Sequence, residues 1–450
     1  MCFPKYEKYK DSGVKWLGKV PEHWNVDRLR FIFEIVKRIA GTDGFDVLSI
    51  TQRGIKVKDL ESGEGQLSSD YSKYQIVKKG NFAMNHMDLL TGYVDVSQFN
   101  GVTSPDYRVF QLSDEDKDYS QYFLHLLQNG YHQRLFFPYG QGAAHLGRWR
   151  LPKEEFNNFL FPRPPLGEQV KVAQFLEYNT SRIDALIAEQ ERLIALLKEK
   201  RQAVISHAVT KGLDTTVKMK DSGVEWLGEV PEHWEITKLK YAIDEYGGST
   251  PSKENLDYWN GDIPWVTPKD MKREVIEDSI DHVSTLAIEE TNLSILPKQV
   301  VLIVVRGMIL AHSVPVALTT TDTTINQDMK AMKPIEKFSA DYLLLLLQGM
   351  KNAVFSFVDN SAHGTKKIEW ERFKNIPVPV LEWQEQTEIV SKTRENIHKV
   401  DLLHIEVNRS IDTLKERRSA LISAAVTGKI DVRNWQPPAD IPSNTEEAIT

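Results

Sequence analysis

The sequence predicts an α+β protein with an internal pseudo-two-fold repeat, in which two mixed α/β domains are separated by two long helices that form an antiparallel coiled coil. Three observations lead to this fold class. The segment 8–24 recurs almost unchanged as 218–234. Two proline-free stretches, 166–210 and 383–427, repeat each other more loosely. The regions between them, 31–150 and 241–367, mix strand and helix patterns.

The composition bounds the class of protein. The chain has 450 residues, of which 41% are hydrophobic and 26% charged, as in a globular protein of about three units. The formal charge of −7 does not favour nucleic acid, so a nucleic-acid surface would have to be a local patch. The single cysteine, Cys2, excludes a disulfide framework and a cysteine zinc site, and it favours a reducing, cytoplasmic compartment. The most apolar run, Val300 to Val305, is too short to span a membrane.

The repeats set the domain boundaries. Trp24 recurs as Trp234, an offset of 210 residues, whereas Thr210 recurs as Thr427, an offset of 217. Two copies suit a pseudo-symmetric molecule and are too few for a solenoid. We therefore place a first domain with the repeated segment at 1–165, a spacer helix at 166–217, a second domain at 218–382, a second spacer helix at 383–430 and a disordered tail at 431–450.

Each long stretch carries an apolar stripe. The stripes comprise Leu176, Ile183, Leu186, Leu193, Leu197, Val204 and Ala208 in the first stretch, and Ile389, Ile397, Val400, Leu403, Val407, Ile411, Leu414, Leu421 and Val426 in the second. Such spacings are typical of a coiled-coil seam, and about 43 residues make a rod of roughly 65 Å. We expect the stripes to pack on each other, antiparallel because a globular domain intervenes. The alternative is two separate helices, each packed on its own domain.

Catalytic motifs are missing from the sequence. It has no Gly-x-x-x-x-Gly-Lys-[Ser/Thr] loop, no Gly-x-Gly-x-x-Gly fingerprint and no Gly-x-Ser-x-Gly elbow. Neither Pro164-Pro165 nor Pro437-Pro438 forms the Asn/Asp-Pro-Pro-aromatic motif of an amino-methyltransferase. His23 and His233 of the repeated Pro-Glu-His-Trp motif lack companion ligands, so we expect them to pack between domain and helix. The sequence predicts a chain without catalytic or metal-ligating residues.

Several phrases of the sequence carry a family resemblance. Asp-Ser-Gly-Val-x-Trp-Leu-Gly-x-Val-Pro-x-x-Trp precedes each variable domain, at 11–24 and 221–234, and a long helix beginning with Glu-Gln follows each, at 168–169 and 385–386. Residues 104–107, 258–267 and 325–328 also look like recurrent phrases of that family. Over nearly the whole chain, this arrangement resembles the specificity subunit of Type I restriction–modification enzymes.

The resemblance implies a function, partners and cofactors. Each variable domain would be a target-recognition domain that reads one half of a bipartite, asymmetric sequence in double-stranded DNA. The spacer helices would fix the gap and dock two methyltransferase (modification) subunits, which restriction/translocase subunits join. The chain itself would be non-catalytic and would bind no cofactor, because S-adenosylmethionine, ATP and Mg²⁺ would belong to the partner subunits.

Candidate DNA-binding residues are forked donors and acceptors, small hydroxyl residues and cations on turns and glycine-rich loops. In the first domain they are Arg53, Lys56, Lys58, Tyr107, Arg108, Gln141, His145, Arg148 and Arg150. In the second domain they are Ser249, Thr250, Ser252, Lys253, Thr267, Lys269, Lys272, Arg273, Asn326, Gln327, His363, Thr365, Lys366 and Lys367. For Asn326 and Gln327 a buried structural role is the alternative, and for the others a solvated surface role.

Two rival functions stay open at the level of sequence. The first is a coiled-coil scaffold with two protein-binding domains, which would show no sequence-specific DNA retention. The second is a hidden nuclease or methyltransferase, which would act on DNA with Mg²⁺ or S-adenosylmethionine alone.

Overall fold

The computed structural model describes residues 3–61, 68–142, 149–360 and 365–438. The chain divides into two compact units. Unit 1 comprises Met1–Gln190 and Arg409–Thr450, and unit 2 comprises Glu191–Asn408. Each unit therefore holds one mixed domain, one part of the first long helix and one part of the second.

Unit 1 is built mainly of short antiparallel strands. Its strands are Tyr9–Asp11, Lys19–Pro21, Asn25–Arg28, Phe33–Ile35, Leu48–Thr51, Gly54–Val57, Gln75–Val77, Phe82–Met84, Val94–Val96, Gly101–Thr103, Arg108–Leu112 and Leu160–Arg163. Its short helices are Leu29–Phe31, Ser120–His132, Phe137–Tyr139 and Lys153–Asn158. The largest sheet has the strand order Phe33–Ile35, Arg108–Leu112, Phe82–Met84, Val94–Val96.

Aromatic rings fill the core of unit 1. Phe33 lies 4.9 Å from Phe110, 5.1 Å from Phe82 and 5.6 Å from Phe123, measured between ring centroids, and all these contacts are edge-to-face. That geometry is the favoured one for aromatic pairs. The core joins the sheet to the helix Ser120–His132.

Unit 2 has a larger sheet and a more aliphatic core. Its strands are Met219–Asp221, Glu229–Pro231, Glu235–Lys238, Ile243–Gly247, Ile263–Val266, Val275–Ile276, Asp281–Val283, Val301–Val304, Val316–Thr319, Thr324–Ile325, Met329–Pro334, Val358–Asn360, Lys366–Ile368 and Pro377–Val380. Its short helices are Leu239–Tyr241, Leu256–Tyr258, Thr285–Glu290, Met308–Ala311, Ala340–Gly349, Lys351–Phe355 and Trp370–Phe373. The fully buried strand Val301–Val304 is the third of five in the main sheet.

The two long helices are Leu166–Lys211 and Trp383–Val426, which we call spacer helix 1 and spacer helix 2. In unit 1, Arg418 of spacer helix 2 pairs with Asp184 of spacer helix 1 at 2.8 Å. In unit 2, Arg201 lies 3.4 Å from Asp401. Residues later in one helix thus face residues earlier in the other, so the helices pair antiparallel within each unit. The predicted fold class, with its intramolecular coiled coil, is confirmed.

The seam contains part of each predicted stripe together with residues that were not predicted. The shielded positions of spacer helix 1 are Ile183, Ile187, Gln190, Ile194 and Leu197, and those of spacer helix 2 are Val400, His404, Val407, Ile411 and Leu414. Both sets follow the 4-3-4-3 spacing of a heptad seam. Leu186, Leu193 and Leu403, which the prediction placed in the seam, are exposed. Each helix has a second apolar stripe, and spacing alone does not say which stripe faces the partner helix.

A buried glutamine joins each spacer helix to its domain. Gln169 accepts a hydrogen bond from the backbone N–H of Tyr119 at 2.8 Å and donates to the carbonyls of Lys117 and Pro164. Gln386 repeats this arrangement with the N–H of Ser339 and the carbonyls of Lys337 and Leu381. Because both glutamine side chains are fully buried, each amide is held in one orientation by these bonds and fixes the chain before each domain helix.

The glutamate before each glutamine binds the repeated segment. In unit 1, Glu168 accepts a hydrogen bond of 2.9 Å from the indole of Trp24 and lies 2.6 Å from His23 Nε2. In unit 2, Glu385 makes the same contacts with Trp234 at 2.9 Å and His233 at 3.0 Å. We call each set the Trp–His–Glu cluster. Both histidines thus lie between domain and helix, where the sequence placed them.

The two units differ in one matched pair of side chains. In unit 1, Arg163 donates two hydrogen bonds to the buried Asp118, at 2.8 and 2.7 Å, and a third to Asp27. The matched residues of unit 2 are Val380 and the buried Phe338. One copy of the fold therefore holds an ion pair where the other holds apolar side chains.

The end of the chain packs on unit 1 where disorder was predicted. Val432 is buried, and the Trp435 ring lies 5.4 Å from Phe175. The Asp431 N–H donates to the carbonyl of Pro4 at 2.8 Å. Two large apolar side chains suffice to anchor this segment, which corrects the prediction for residues 431–438. The remaining predicted tail, 439–450, lies outside the described residues.

Candidate nucleic-acid interface

A cleft of about 720 Å³ in unit 1 gathers several predicted residues. Lys56, Lys58 and Tyr107 line it. The strands Leu48–Thr51 and Gly54–Val57 form a hairpin that carries Lys56, and Lys58 directly follows it. Arg53 occupies the exposed turn of that hairpin. The cleft thus combines two cations and an aromatic ring, which suit a polyanion with bases, with the three carboxylates of Asp59, Asp88 and Asp106.

Three further residues of this cleft were missed by the sequence analysis. Tyr71, Tyr74 and Asn85 line the same cleft. Asn85 follows the strand Phe82–Met84, and its side-chain oxygen accepts from the N–H of Met87 at 3.3 Å. An asparagine directly after a buried strand was the available signal, whereas the two tyrosines reach the cleft only through tertiary folding.

Arg108 is not part of the exposed surface, and this corrects its prediction as a DNA-binding residue. Only 5% of it is exposed. Its guanidinium donates to the carbonyl of Leu151 at 2.9 Å and lies 4.7 Å from the centre of the Phe156 ring. Burial lowers the pKa of Arg108 to about 10, and burial together with the Arg108 charge lowers the pKa of His86 to about 3. Strand alternation turns Arg108 inward, away from Tyr107.

The glycine-rich loop of unit 1 is closed at its base. Gln141 and Arg150 exchange two backbone hydrogen bonds, of 2.9 and 3.1 Å, and both are exposed. The N–H of Leu151 donates to the carbonyl of His86, so the loop base adjoins the cleft-lining segment 85–88. His145 and Arg148 lie outside the described residues.

In unit 2 the predicted residues meet where two parallel strands end. Ile263–Val266 and Thr324–Ile325 pair in parallel, so Thr267 and Asn326 leave the sheet at the same edge. Both are buried. Thr267 bonds to Asp270, and Asn326 accepts from the N–H of Asp328 at 3.1 Å. As placed, Asn326 fits the structural alternative and supports its neighbour, the exposed Gln327.

The loop 247–253 lies against this edge. The N–H of Ser249 donates to the carbonyl of Ile325 at 3.1 Å, and the Trp265 indole donates to the Ser249 carbonyl at 3.0 Å. A Cβ at Gly248 would come within 2.2 Å of the carbonyl oxygen of Asn326. Only glycine permits so close a backbone approach. Thr250, Ser252 and Lys253 are therefore presented, exposed, from an anchored loop.

Residues 305–307 form a third segment beside this strand edge. The N–H groups of Val305 and Arg306 both donate to the carbonyl of Asp328, and Gly307 N–H donates to the carbonyl of Lys366 at 3.0 Å. The exposed Arg306 was missed by the sequence analysis, although a cation that ends an apolar strand was a usable signal. Thr365 and Lys367 flank Lys366, and His363 lies outside the described residues.

Lys269, Lys272 and Arg273 extend this surface along the turn after Thr267. All three are exposed. The residue that follows, Glu274, pairs with Arg201 of spacer helix 1 at 2.5 Å. The basic turn therefore runs from the strand edge toward the helix.

A known protein family matches part of this chain. Residues 231–411 match the family described as the Type I restriction modification DNA specificity domain. The match covers most of the second domain and much of spacer helix 2. The family resemblance inferred from the sequence is therefore confirmed over residues 231–411, which match that family.

Individual relatives agree with this assignment. The chain is 32% identical over 193 residues to the Type I restriction enzyme EcoR124I/EcoR124II specificity subunit of Escherichia coli. The matched stretch is 42% of this chain and 44% of that relative, less than half of the relative's length. A second match, 27% identical over 168 residues, is the MjaIX specificity subunit of Methanocaldococcus jannaschii, with 37% of this chain and 38% of the relative covered.

Solved structures support the fold over nearly the whole chain. A chain from a type I R-M system has a TM-score of 0.69 at 14% identity, with 91% of this chain and 98% of that chain covered. The HsdS subunit from Thermoanaerobacter tengcongensis has a TM-score of 0.51, again at 14% identity, with 91% and 98% covered. Along the described residues, no helix is both long and apolar enough to cross a bilayer.

Proposed function

We propose that this chain is the DNA-recognition subunit of a Type I restriction–modification complex, in which unit 1 and unit 2 each read one half of a bipartite, asymmetric target in double-stranded DNA. The observation that carries the proposal is the contrast between the units. Their frameworks share the same buried glutamine and the same Trp–His–Glu cluster, whereas their exposed polar surfaces consist of different residues on different loops. Two unlike surfaces on one framework suit two unlike half-sites.

The candidate surfaces have the chemistry of DNA contacts. Phosphates are bound by Lys, Arg and hydroxyl side chains, and base edges are read by Asn, Gln and Arg. The unit 1 cleft offers Lys56, Tyr74 and Asn85, and the strand edge of unit 2 offers Thr250, Gln327 and Arg306. Since the net charge of the chain is −7 and the unit 1 cleft itself holds three carboxylates, these cations act locally, and partner subunits would complete the affinity for DNA.

The spacer helices suit the docking of modification subunits. In unit 2, five apolar side chains of the two helices point outward, namely Leu193, Leu196, Leu402, Leu403 and Ile405, with between 39% and 56% of each exposed. Exposed apolar side chains of this kind favour the apolar face of partner helices. We propose that two methyltransferase subunits dock on the spacer helices and that restriction/translocase subunits join them in the cytoplasm.

The chemistry of modification and cleavage would then belong to the partners. Under this proposal the chain binds no cofactor, and S-adenosylmethionine, ATP and Mg²⁺ are used by the other subunits. The relatives' designation as specificity subunits supports a non-catalytic role for this chain.

Domain exchange tests the proposal. Residues 31–150 are replaced by the matching region of a relative, and the methylated motif is read by methylome sequencing of cells that carry the modification subunits. We expect one half-site to change and the other to persist. A change of both half-sites contradicts the assignment of one half-site to each unit. Sequence-independent DNA retention by the assembled complex would instead favour a protein-binding scaffold.

A further inference from the structure

The strand edge of unit 2 ends in a rigid turn with one glutamine at its tip. The turn runs from Asn326 to Met329 and is closed by a backbone hydrogen bond of 3.2 Å between them. The buried Asn326 side chain bonds to both the N–H and the carboxylate of Asp328. The Asp328 carbonyl in turn accepts from Val305 and Arg306. The backbone beneath Gln327 is therefore held from both sides.

The side chain of Gln327 is also oriented. The Thr250 hydroxyl donates a hydrogen bond to Oε1 of Gln327. Thr250 belongs to the loop anchored by the Trp265 indole and by the close backbone approach at Gly248. An exposed glutamine ordinarily samples many rotamers, and ordering it on binding costs free energy. Here the ordering is built into the free protein.

We propose that Gln327, oriented by Thr250, reads an adenine in the major groove of the half-site bound by unit 2. This inference rests on the proposed function and adds the base and the residue that reads it. With one lone pair of Oε1 occupied by Thr250, the amide still presents the second lone pair of Oε1 and both hydrogens of Nε2.

The remaining donor and acceptor match one base. Adenine shows an acceptor, N7, beside a donor, the N6 amino group, and a glutamine amide pairs with both at once. Guanine shows two acceptors, thymine shows an acceptor and a methyl group, and cytosine shows a donor alone. Each of these satisfies at most one half of the amide. The other half would be left unpaired in a desolvated contact, which is how a polar site rejects the wrong base.

The surroundings favour approach of the groove at this point. Arg306 is exposed on the segment bonded to Asp328, and Lys366 and Lys367 follow on the strand bonded to it in turn. Cations beside a base-reading residue contact the phosphates and fix its register. The nearest carboxylate in sequence, that of Asp328, is turned to the Asn326 amide.

The test is the methylated motif in cells that carry the whole complex with each of four chains: wild type, Gln327→Ala, Thr250→Val and the control Gln384→Ala. Gln384 is exposed on spacer helix 2 of the same unit. In Gln327→Ala we expect one adenine of one half-site to become degenerate, with discrimination at that base pair falling by roughly ten- to a hundred-fold. Thr250→Val should relax the same position less, and Gln384→Ala should leave the motif unchanged.

The other possible outcomes contradict either this inference or the proposed function. An unchanged motif in Gln327→Ala, or relaxation at a base pair without adenine, overturns the inference while the proposed function stands. If Gln327→Ala yields no methylated sites, Thr250→Val decides, because it alters one exposed hydroxyl, and an unchanged motif there overturns the inference as well. A wild-type chain that directs no bipartite methylation overturns the proposed function itself, and this inference with it.

Discussion

The indole of Trp24 donates a hydrogen bond of 2.9 Å to the carboxylate of Glu168, which lies 144 residues later in the sequence. Trp24 is fully buried, so this bond ties the repeated segment to the first turn of spacer helix 1. The same bond, of the same length, recurs between Trp234 and Glu385. Each domain is thereby attached to its helix by an identical contact.

Removing the indole N–H should loosen one unit at a time. We expect Trp24→Phe to lower the local stability of unit 1 by about 1.5–3 kcal/mol, because Glu168 loses a charge-assisted donor. Trp234→Phe should do the same to unit 2. Hydrogen exchange, read separately for peptides of each unit, measures the effect, and each variant is the control for the other. Equal acceleration in both units would contradict the prediction.

The Arg163–Asp118 pair should be replaceable only as a pair. Arg163→Val alone leaves the buried Asp118 carboxylate unpaired and should cost about 3–5 kcal/mol of unfolding free energy. The double variant Asp118→Phe with Arg163→Val copies the matched residues of unit 2 and should recover most of that loss. Thermal unfolding of the three proteins checks this. A double variant no more stable than the single one would show that the interior of unit 1 cannot accommodate the apolar side chains found at the matched positions of unit 2.

The same pair should carry a pH dependence of defined sign. Burial raises the pKa of Asp118 even beside Arg163. A raised pKa in the folded state means that folding takes up a proton, so this group contributes stability below its ordinary pKa and loses it as the pH rises through the folded value. The stability of the double variant relative to that of wild type should therefore increase as the pH rises through the folded pKa of Asp118. A relative stability that increases as the pH falls would contradict this sign.

The basic strand after His363 should contribute phosphate contacts. Lys366→Ala with Lys367→Ala should weaken binding to every DNA sequence and reduce the slope of log affinity against log salt by up to about two units. Lys337→Ala with Lys351→Ala, two exposed lysines elsewhere in unit 2, is the matched control. Fluorescence anisotropy over a salt series measures both. A loss confined to the cognate sequence would assign these lysines to base reading instead.

Spacer length should set the gap between the half-sites. Four residues added near Gln190 and four near Val407 lengthen the helices by about 6 Å, so the gap should grow by one or two base pairs. Four residues are close to one turn, which preserves the face each domain presents, whereas two residues rotate it by roughly 200° and should abolish function. The methylated motif is the readout. An active four-residue variant with an unchanged gap would mean that partner subunits position the domains.

Several elements of the fold can be predicted from local patterns in the sequence. The proline-free stretches located both long helices, which end at Lys211 and Val426. Gly212 and Gly428 follow these ends with φ values of +75° and +73°. The regions predicted to mix strands and helices contain the strands Arg108–Leu112, Ile263–Val266 and Val301–Val304, and the last of these lies in the apolar run Val300 to Val305. These features depend on local patterns, which sequence records directly.

Other features depend on contacts that sequence does not record. The choice between Ile187 and Leu186 for the seam depends on the partner helix, because both belong to apolar stripes of helical period. Arg108 looked like a surface cation, and only the sheet register turns it toward Phe156. Tyr71 and Tyr74 reach the unit 1 cleft through the folding of distant segments. In each case tertiary packing decides between two locally equal choices.

The duplicated Trp–His–Glu clusters separate the attachment of each domain from the surfaces proposed to contact DNA. Each cluster lies at the junction of helix and repeated segment, and neither includes a residue of the proposed DNA surfaces. Under the proposed function, a mutation in the exposed loops can therefore alter the target while leaving this attachment intact. A foreign domain that carries the same tryptophan and meets the same glutamate would take the same position on the helix.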